Sequence, residues 1–92
     1  MDGYELTLRK EVLLEKAAGI LGDLFRLQQN SSDRGIAEAA SVMFSLVGGE
    51  KNNILMVEDV SALDGIEHKF DLSQRFTAEL EKRLAVGKTR NE

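Results

Sequence analysis

The single histidine of this 92-residue chain, His68, stands next to Glu67 and four residues after Asp64. Asp64 and His68 at i and i+4 share one face of a helix, and an imidazole beside a carboxylate is the beginning of a metal site. Such a site needs three or four ligands. The chain has no cysteine and no second histidine, so the remaining ligands would all be carboxylates from elsewhere in the chain or from another subunit. The reading adopted is a solvated surface histidine, with no metal.

Five acids crowd the same stretch: Glu58, Asp59, Asp64, Glu67 and Asp71, against Lys69 as the basic residue. Paired carboxylates do acid–base work only where a cleft shifts their pKa values, and a small helical chain offers little cleft. Their spacing also lacks the D-x-D-x-D-G order of a calcium loop. They read as an acidic face, solvated or meeting a basic partner, and are the candidate partner-binding residues.

Gly48-Gly49-Glu50-Lys51-Asn52-Asn53 places glycines and a lysine before a possible helix start, as phosphate cradles do. Neither G-x-x-x-x-G-K-[ST] nor G-x-G-x-x-G is present, so the segment reads as a helix stop and turn. The serines, Ser31, Ser32, Ser41, Ser45, Ser61 and Ser73, fall in caps or on helix faces, and no G-x-S-x-G elbow occurs. These observations predict no catalytic residue and no cofactor, and a protein that is not an enzyme.

The C-terminal twenty residues reverse the charge, with Arg75, Lys82, Arg83, Lys88 and Arg90 outnumbering Glu79, Glu81 and Glu92. These five cations are the candidate nucleic-acid contacts. A helix-turn-helix reading of the region around Gly48-Gly49 fails on chemistry, because ILMVEDVSALDGIEH offers apolar and acidic side chains where a recognition helix needs Arg, Lys, Asn or Gln. A net charge of −4 with this uneven distribution favours protein partners over a non-specific nucleic-acid grip.

The elements that carry these residues are helical. Proline is absent and aromatic residues are 5%, while hydrophobic residues reach 42% and charged residues 30%, a folding composition poor in strand formers. No uncharged run of 18 residues and no signal-peptide pattern is seen, so a cytoplasmic protein without a membrane segment is expected.

Leu6, Leu13, Ala17, Ile20, Leu24 and Leu27 follow a helical seam, with Leu14, Ala18, Leu21 and Phe25 widening it. Gly19 and Gly22 interrupt the polar side, as tolerated weak points or as places where a partner backbone comes close. NSSDRG, residues 30–35, is a turn in which Ser32 or Asp33 caps a second helix. Its apolar face is Ile36, Ala39, Ala40, Met43, Leu46 and Val47.

The segment that follows is ambiguous. As a helix with Asn52 or Asn53 as its cap, it buries Met56, Val57, Val60, Leu63, Ile66 and Phe70. As a strand, residues 54–60 would pair with 41–47. A third reading has the chain extended up to Ser61, with the Ser61-x-x-Asp64 box starting the helix there. It ranks below the other two. Asp71 with Gln74 then makes a capping box for a last helix that buries Leu72, Phe76, Leu80 and Leu84 and ends at Gly87, before a flexible tail at 88–92.

The sequence therefore predicts a single all-α domain over residues 1–92, a small bundle of about four helices (4–29, 32–47, 53–68 and 72–86). The alternative is α+β with the 41–47/54–60 hairpin. A core this small is thin, and the width of the first helix's apolar face predicts completion by homodimerisation. Function is expected to be a non-enzymatic protein–protein interaction module, an adaptor, chaperone-like protein or inhibitor of a larger protein, of the kind small bacterial or phage proteins supply. The alternative is a dimeric nucleic-acid-associated regulator.

Overall fold

The structure, a computed structural model, describes residues 3–90, with side chains described through Val86. It contains three helices, α1 (Gly3–Asn30), α2 (Arg34–Ile54) and α3 (Val60–Arg90), and no strand among the described residues. Each helix packs against the other two. Together they form a rod of 56 × 17 × 16 Å.

The core is the meeting of three seams of heptad-like spacing. Leu13, Ala17, Ile20, Leu24 and Leu27 of α1 are buried, as are Ile36, Ala40, Val47 and Ile54 of α2. On α3 the seam runs Leu63, Ile66, Phe70, Ser73, Thr77 and Leu80, an alternation of three and four residues. That rhythm keeps side chains on one stripe when helices pack along their length. Part of the width of the α1 face is used within the chain: Leu14 and Leu21 pack against the core cluster from its side, while Ala18 and Phe25 stand exposed.

The second and third expected helices are redrawn. Gly48-Gly49 does not stop α2, which continues to Ile54, and no described glycine takes a positive φ. The left-handed residue that would end the helix is missing. Each glycine weakens the helix by about 1 kcal/mol, but continuing it keeps Ile54 in phase seven residues beyond Val47, and burying such a side chain stabilises by about 1.5–3 kcal/mol. Asn52 and Asn53 accordingly lie inside α2 rather than capping a helix, and the hairpin alternative is not formed.

α3 begins at Val60, close to the start at Ser61 that ranked last. Asp59 is the residue before it. Its Oδ1 accepts a hydrogen bond from the Ala62 backbone N–H at 3.1 Å and another from the Ser61 hydroxyl at 2.7 Å, the work of a helix N-cap. Asp33 does the same for α2, accepting from the Ile36 N–H at 3.2 Å.

Asp71 caps nothing, because α3 runs through it. The apolar phase set by Leu63, Ile66 and Phe70 carries on through Ser73 and Thr77, so these two are buried while Leu72 and Phe76 stand exposed. Their hydroxyls donate to the carbonyls four residues back, Lys69 at 2.9 Å and Ser73 at 2.8 Å, which satisfies them inside the helix. Gly87 lies within the helix, which continues to Arg90. Residues 91 and 92 of the expected tail lie outside the described residues.

Gly19 and Gly65 are exposed helical positions where an added methyl group meets nothing within 4 Å. Gly19→Ala and Gly65→Ala are each expected to stabilise the fold by about 1 kcal/mol, read as a higher urea midpoint, with additive effects in the double variant. A lowered midpoint at Gly19 would show a second chain packed against it.

Candidate interaction surfaces

Arg9 and Lys16 are seven residues apart on α1, and Asp64 and Asp71 are seven apart on α3. Arg9 Nη2 donates to Asp64 Oδ1 at 2.8 Å and lies 3.6 Å from Glu67 Oε2. Lys16 Nζ donates to Asp71 Oδ1. Both hydrogen bonds join residues 55 apart in sequence, so α1 and α3 run parallel and the pairs fix their register. On the remaining side, Lys69 Nζ of α3 meets Glu50 Oε1 of α2 at 3.0 Å.

The five candidate acids therefore divide by role. Asp64, Glu67 and Asp71 line the α1–α3 boundary and meet cations of this chain. Asp59 caps α3. Glu58 is exposed in the connection between α2 and α3. The hydrogen bond from Lys16 is the main reason the Asp71 carboxyl titrates below its ordinary value, and the Ser61 hydroxyl does the same for Asp59. The hydrogen bond to Asp64 pushes Arg9 up, so it stays charged.

Of the candidate nucleic-acid contacts, Arg75, Lys82 and Arg83 are exposed on α3, and Lys82 lies 3.5 Å from Glu79. The side chains of Lys88 and Arg90 lie outside the described residues. His68 is exposed beside the acids, and no group of three or more possible metal ligands gathers among the described residues. None of the helices is long and apolar enough to cross a membrane, among the described residues.

Among the described residues several large apolar side chains stand uncovered, Phe25, Val42, Leu55 and Met56 among them; the two surfaces that follow were not singled out in the sequence. Three residues separate α1 from α2, which with 21 residues spans about 31 Å against about 42 Å for α1. It therefore stops short of the first turns of α1. Near that end Tyr4, Leu8 and Val12 are 73%, 42% and 62% exposed, one stripe at i, i+4 and i+8. Glu11 and Glu15 lie on the same stripe, seven residues beyond Tyr4 and Leu8. The spacing was legible, but Leu6 and Leu13 drew attention to the inner seam.

The second surface is a groove between α2 and α3. One hollow of about 310 Å³ lies between Met43, Leu46 and Leu72, and another of about 440 Å³ lies between Ala39, Phe76 and Leu80. This groove follows from the phase of α3. Leu72 and Phe76 were expected in a core, and would be found there only if a new helix started at Asp71.

The Asp71 shift sets a pH dependence. A carboxyl whose folded pKa is depressed stabilises above its unfolded value, about 3.8, and loses that contribution as pH falls through the folded value. The urea midpoint is expected to fall between about pH 5 and pH 3, less steeply in Asp71→Asn. Salt at about 1 M, where the Debye length is about 3 Å, should shrink the difference between the two proteins. Equal slopes for both would show that the Lys16–Asp71 pair contributes nothing.

A family model described as bacterial epsilon antitoxin matches residues 2–80. The match takes in α1 and α2 whole and α3 as far as Leu80, the last of its buried seam residues. No curated protein and no solved structure matches. With the three seams and both connections inside the matched span, this chain belongs to the bacterial epsilon antitoxin family, small proteins that inhibit a partner toxin.

Proposed function

We propose that this chain inhibits a larger bacterial toxin by occupying part of its surface, with no chemistry of its own, in the cytoplasm. The observation that carries this is the family match over residues 2–80. The geometry adds a candidate contact in the exposed stripe Tyr4, Leu8 and Val12, carried on a helix whose inner face is already held by the core. Apolar anchors at i, i+4 and i+8 suit an apolar groove in the partner. Glu11 and Glu15 on the same stripe call for a basic rim around that groove.

The acids read as a partner site from the sequence give less support, because Asp64, Glu67 and Asp71 meet Arg9 and Lys16. The nucleic-acid alternative gains no support either. Glu79 and Glu81 interleave with Arg75, Lys82 and Arg83, which breaks up a basic face. The homodimer is kept as part of this proposal, with its contact moved off the seam of α1.

Used as bait in a lysate of the native host, the chain is expected to retain a protein that arrests growth when expressed alone and no longer does so when this chain is co-expressed. Leu8→Asp combined with Val12→Asp should abolish both capture and rescue while leaving the helical circular dichroism unchanged. Rescue that survives the double substitution would move the toxin contact elsewhere. Failure to retain any growth-arresting protein would defeat the inhibitor reading itself.

A further inference from the structure

We propose that Arg9 is a positioning residue for the toxin contact: by gripping Asp64 and Glu67 of α3, it holds the first turns of α1 at the rotation that presents Tyr4, Leu8 and Val12. This rests on the inhibitor reading above and adds a residue that acts from behind the contact, without touching the partner.

Ahead of Leu13, α1 has no buried residue among those described: Leu6, Arg9 and Lys10 are half-buried and the others exposed. Leu6 packs against the core cluster. Apolar attraction is non-directional, so Leu6 holds this end to the core without fixing how the helix is turned. Arg9 supplies the direction. Its Nη2 donates to Asp64 Oδ1 at 2.8 Å and lies 3.6 Å from Glu67 Oε2, and a planar guanidinium between two carboxylates is held in orientation. The Arg9 side chain is 29% exposed, against 66% for Asp64, so its stem lies along the α1–α3 boundary.

Successive residues of a helix stand about 100° apart, so the direction of Leu8 is set once that of Arg9 is. Val12, three residues after Arg9, flanks it on the next turn. The inward clamp and the outward stripe therefore turn together. The other cross-helix pair, Lys16 with Asp71, lies one heptad on, where Leu13 and Ala17 are already buried. There the core fixes α1, and the loss of a cation is felt less.

The test uses the full chain and the growth-arresting protein captured from the host. In Arg9→Gln the helical circular dichroism and the urea midpoint are expected to stay close to those of the unaltered chain, because an exposed pair adds little to global stability. Amide hydrogens of residues 7–12 should exchange about tenfold faster, with those of Leu13 to Leu27 unchanged. The dissociation constant for the captured protein should rise about tenfold, since the helix end must then be ordered on binding. Arg9→Glu, which sets a third carboxylate against Asp64 and Glu67, should weaken binding further. Combining Arg9→Glu with Asp64→Arg reverses the pair and should restore both exchange protection and affinity to within about threefold.

Unchanged exchange of residues 7–12 in Arg9→Gln overturns the proposal. Faster exchange with unchanged affinity also overturns it and leaves the inhibitor reading standing. Protection that returns in the reversed pair while affinity stays lost makes Arg9 a direct toxin contact and overturns the positioning role. If Leu8→Asp with Val12→Asp leaves capture intact, the stripe reading falls and takes this role with it, and the exchange rates report separately whether Arg9 holds the helix end.

Discussion

The structure depends on one constraint: three helices, each with a single buried stripe, must keep those stripes in phase over the length of a rod only 17 × 16 Å across. A core this narrow holds about one side chain from each helix per layer. Phe70, Leu13, Leu24, Ile54 and Leu63 fill those layers and are completely or almost completely excluded from water. In a wider protein a slip in one helix would be absorbed by neighbouring layers. Here a slip would expose the whole stripe, so phase decides where each helix begins and ends. Phase explains why α2 carries on through two glycines and why α3 carries on through Asp71.

Ion pairs are secondary to burial, and one set of them lies where burial is thin. Arg9 sits near the level at which α2 runs out, so the first turns of α1 have α3 as their main support. Arg9 with Asp64 and Glu67, and Lys16 with Asp71, join those two helices along their edge. Pairs this exposed add little to stability, because water screens them. Their stronger effect is on register, since a parallel pair of helices sliding by one turn would break both together.

Much of this was written plainly in the sequence. Leu13, Ala17, Ile20, Leu24 and Leu27 declare α1 through spacing alone, and Asp33 sits where a cap must be. The misread helix boundaries share one cause. Gly48-Gly49 and Asp71-x-x-Gln74 are strong local signals for a stop and a start, yet the long-range phase outweighs both. The same phase was obscured because Ser73 and Thr77 occupy seam positions normally filled by apolar residues. Their neighbours Leu72 and Phe76 looked like the better core. A hydroxyl that bonds to its own helix is tolerated in a seam, and an apolar residue beside the seam is then left to the surface. What the acids meet within the chain was hidden for a different reason. Their charges are local, but their partners Arg9 and Lys16 are distant in sequence.

On the proposed reading the chain inhibits a partner through its surface, and a rod has more surface per residue than a sphere. On the proposed reading, α1 serves two partners from opposite sides. Leu13, Ala17, Ile20, Leu24 and Leu27 face inward and hold the bundle, while Tyr4, Leu8 and Val12 face outward near the N-terminal end of α1. A short isolated helix is marginal in water, so presenting that stripe on a free peptide would require ordering it during binding. Here the cost of ordering is met during folding, by the seam below and by Arg9 and Lys16 against α3. Binding then gains from preorganisation. The exposed stripe is affordable for the same reason it is useful: it belongs to a helix whose stability comes from its other face.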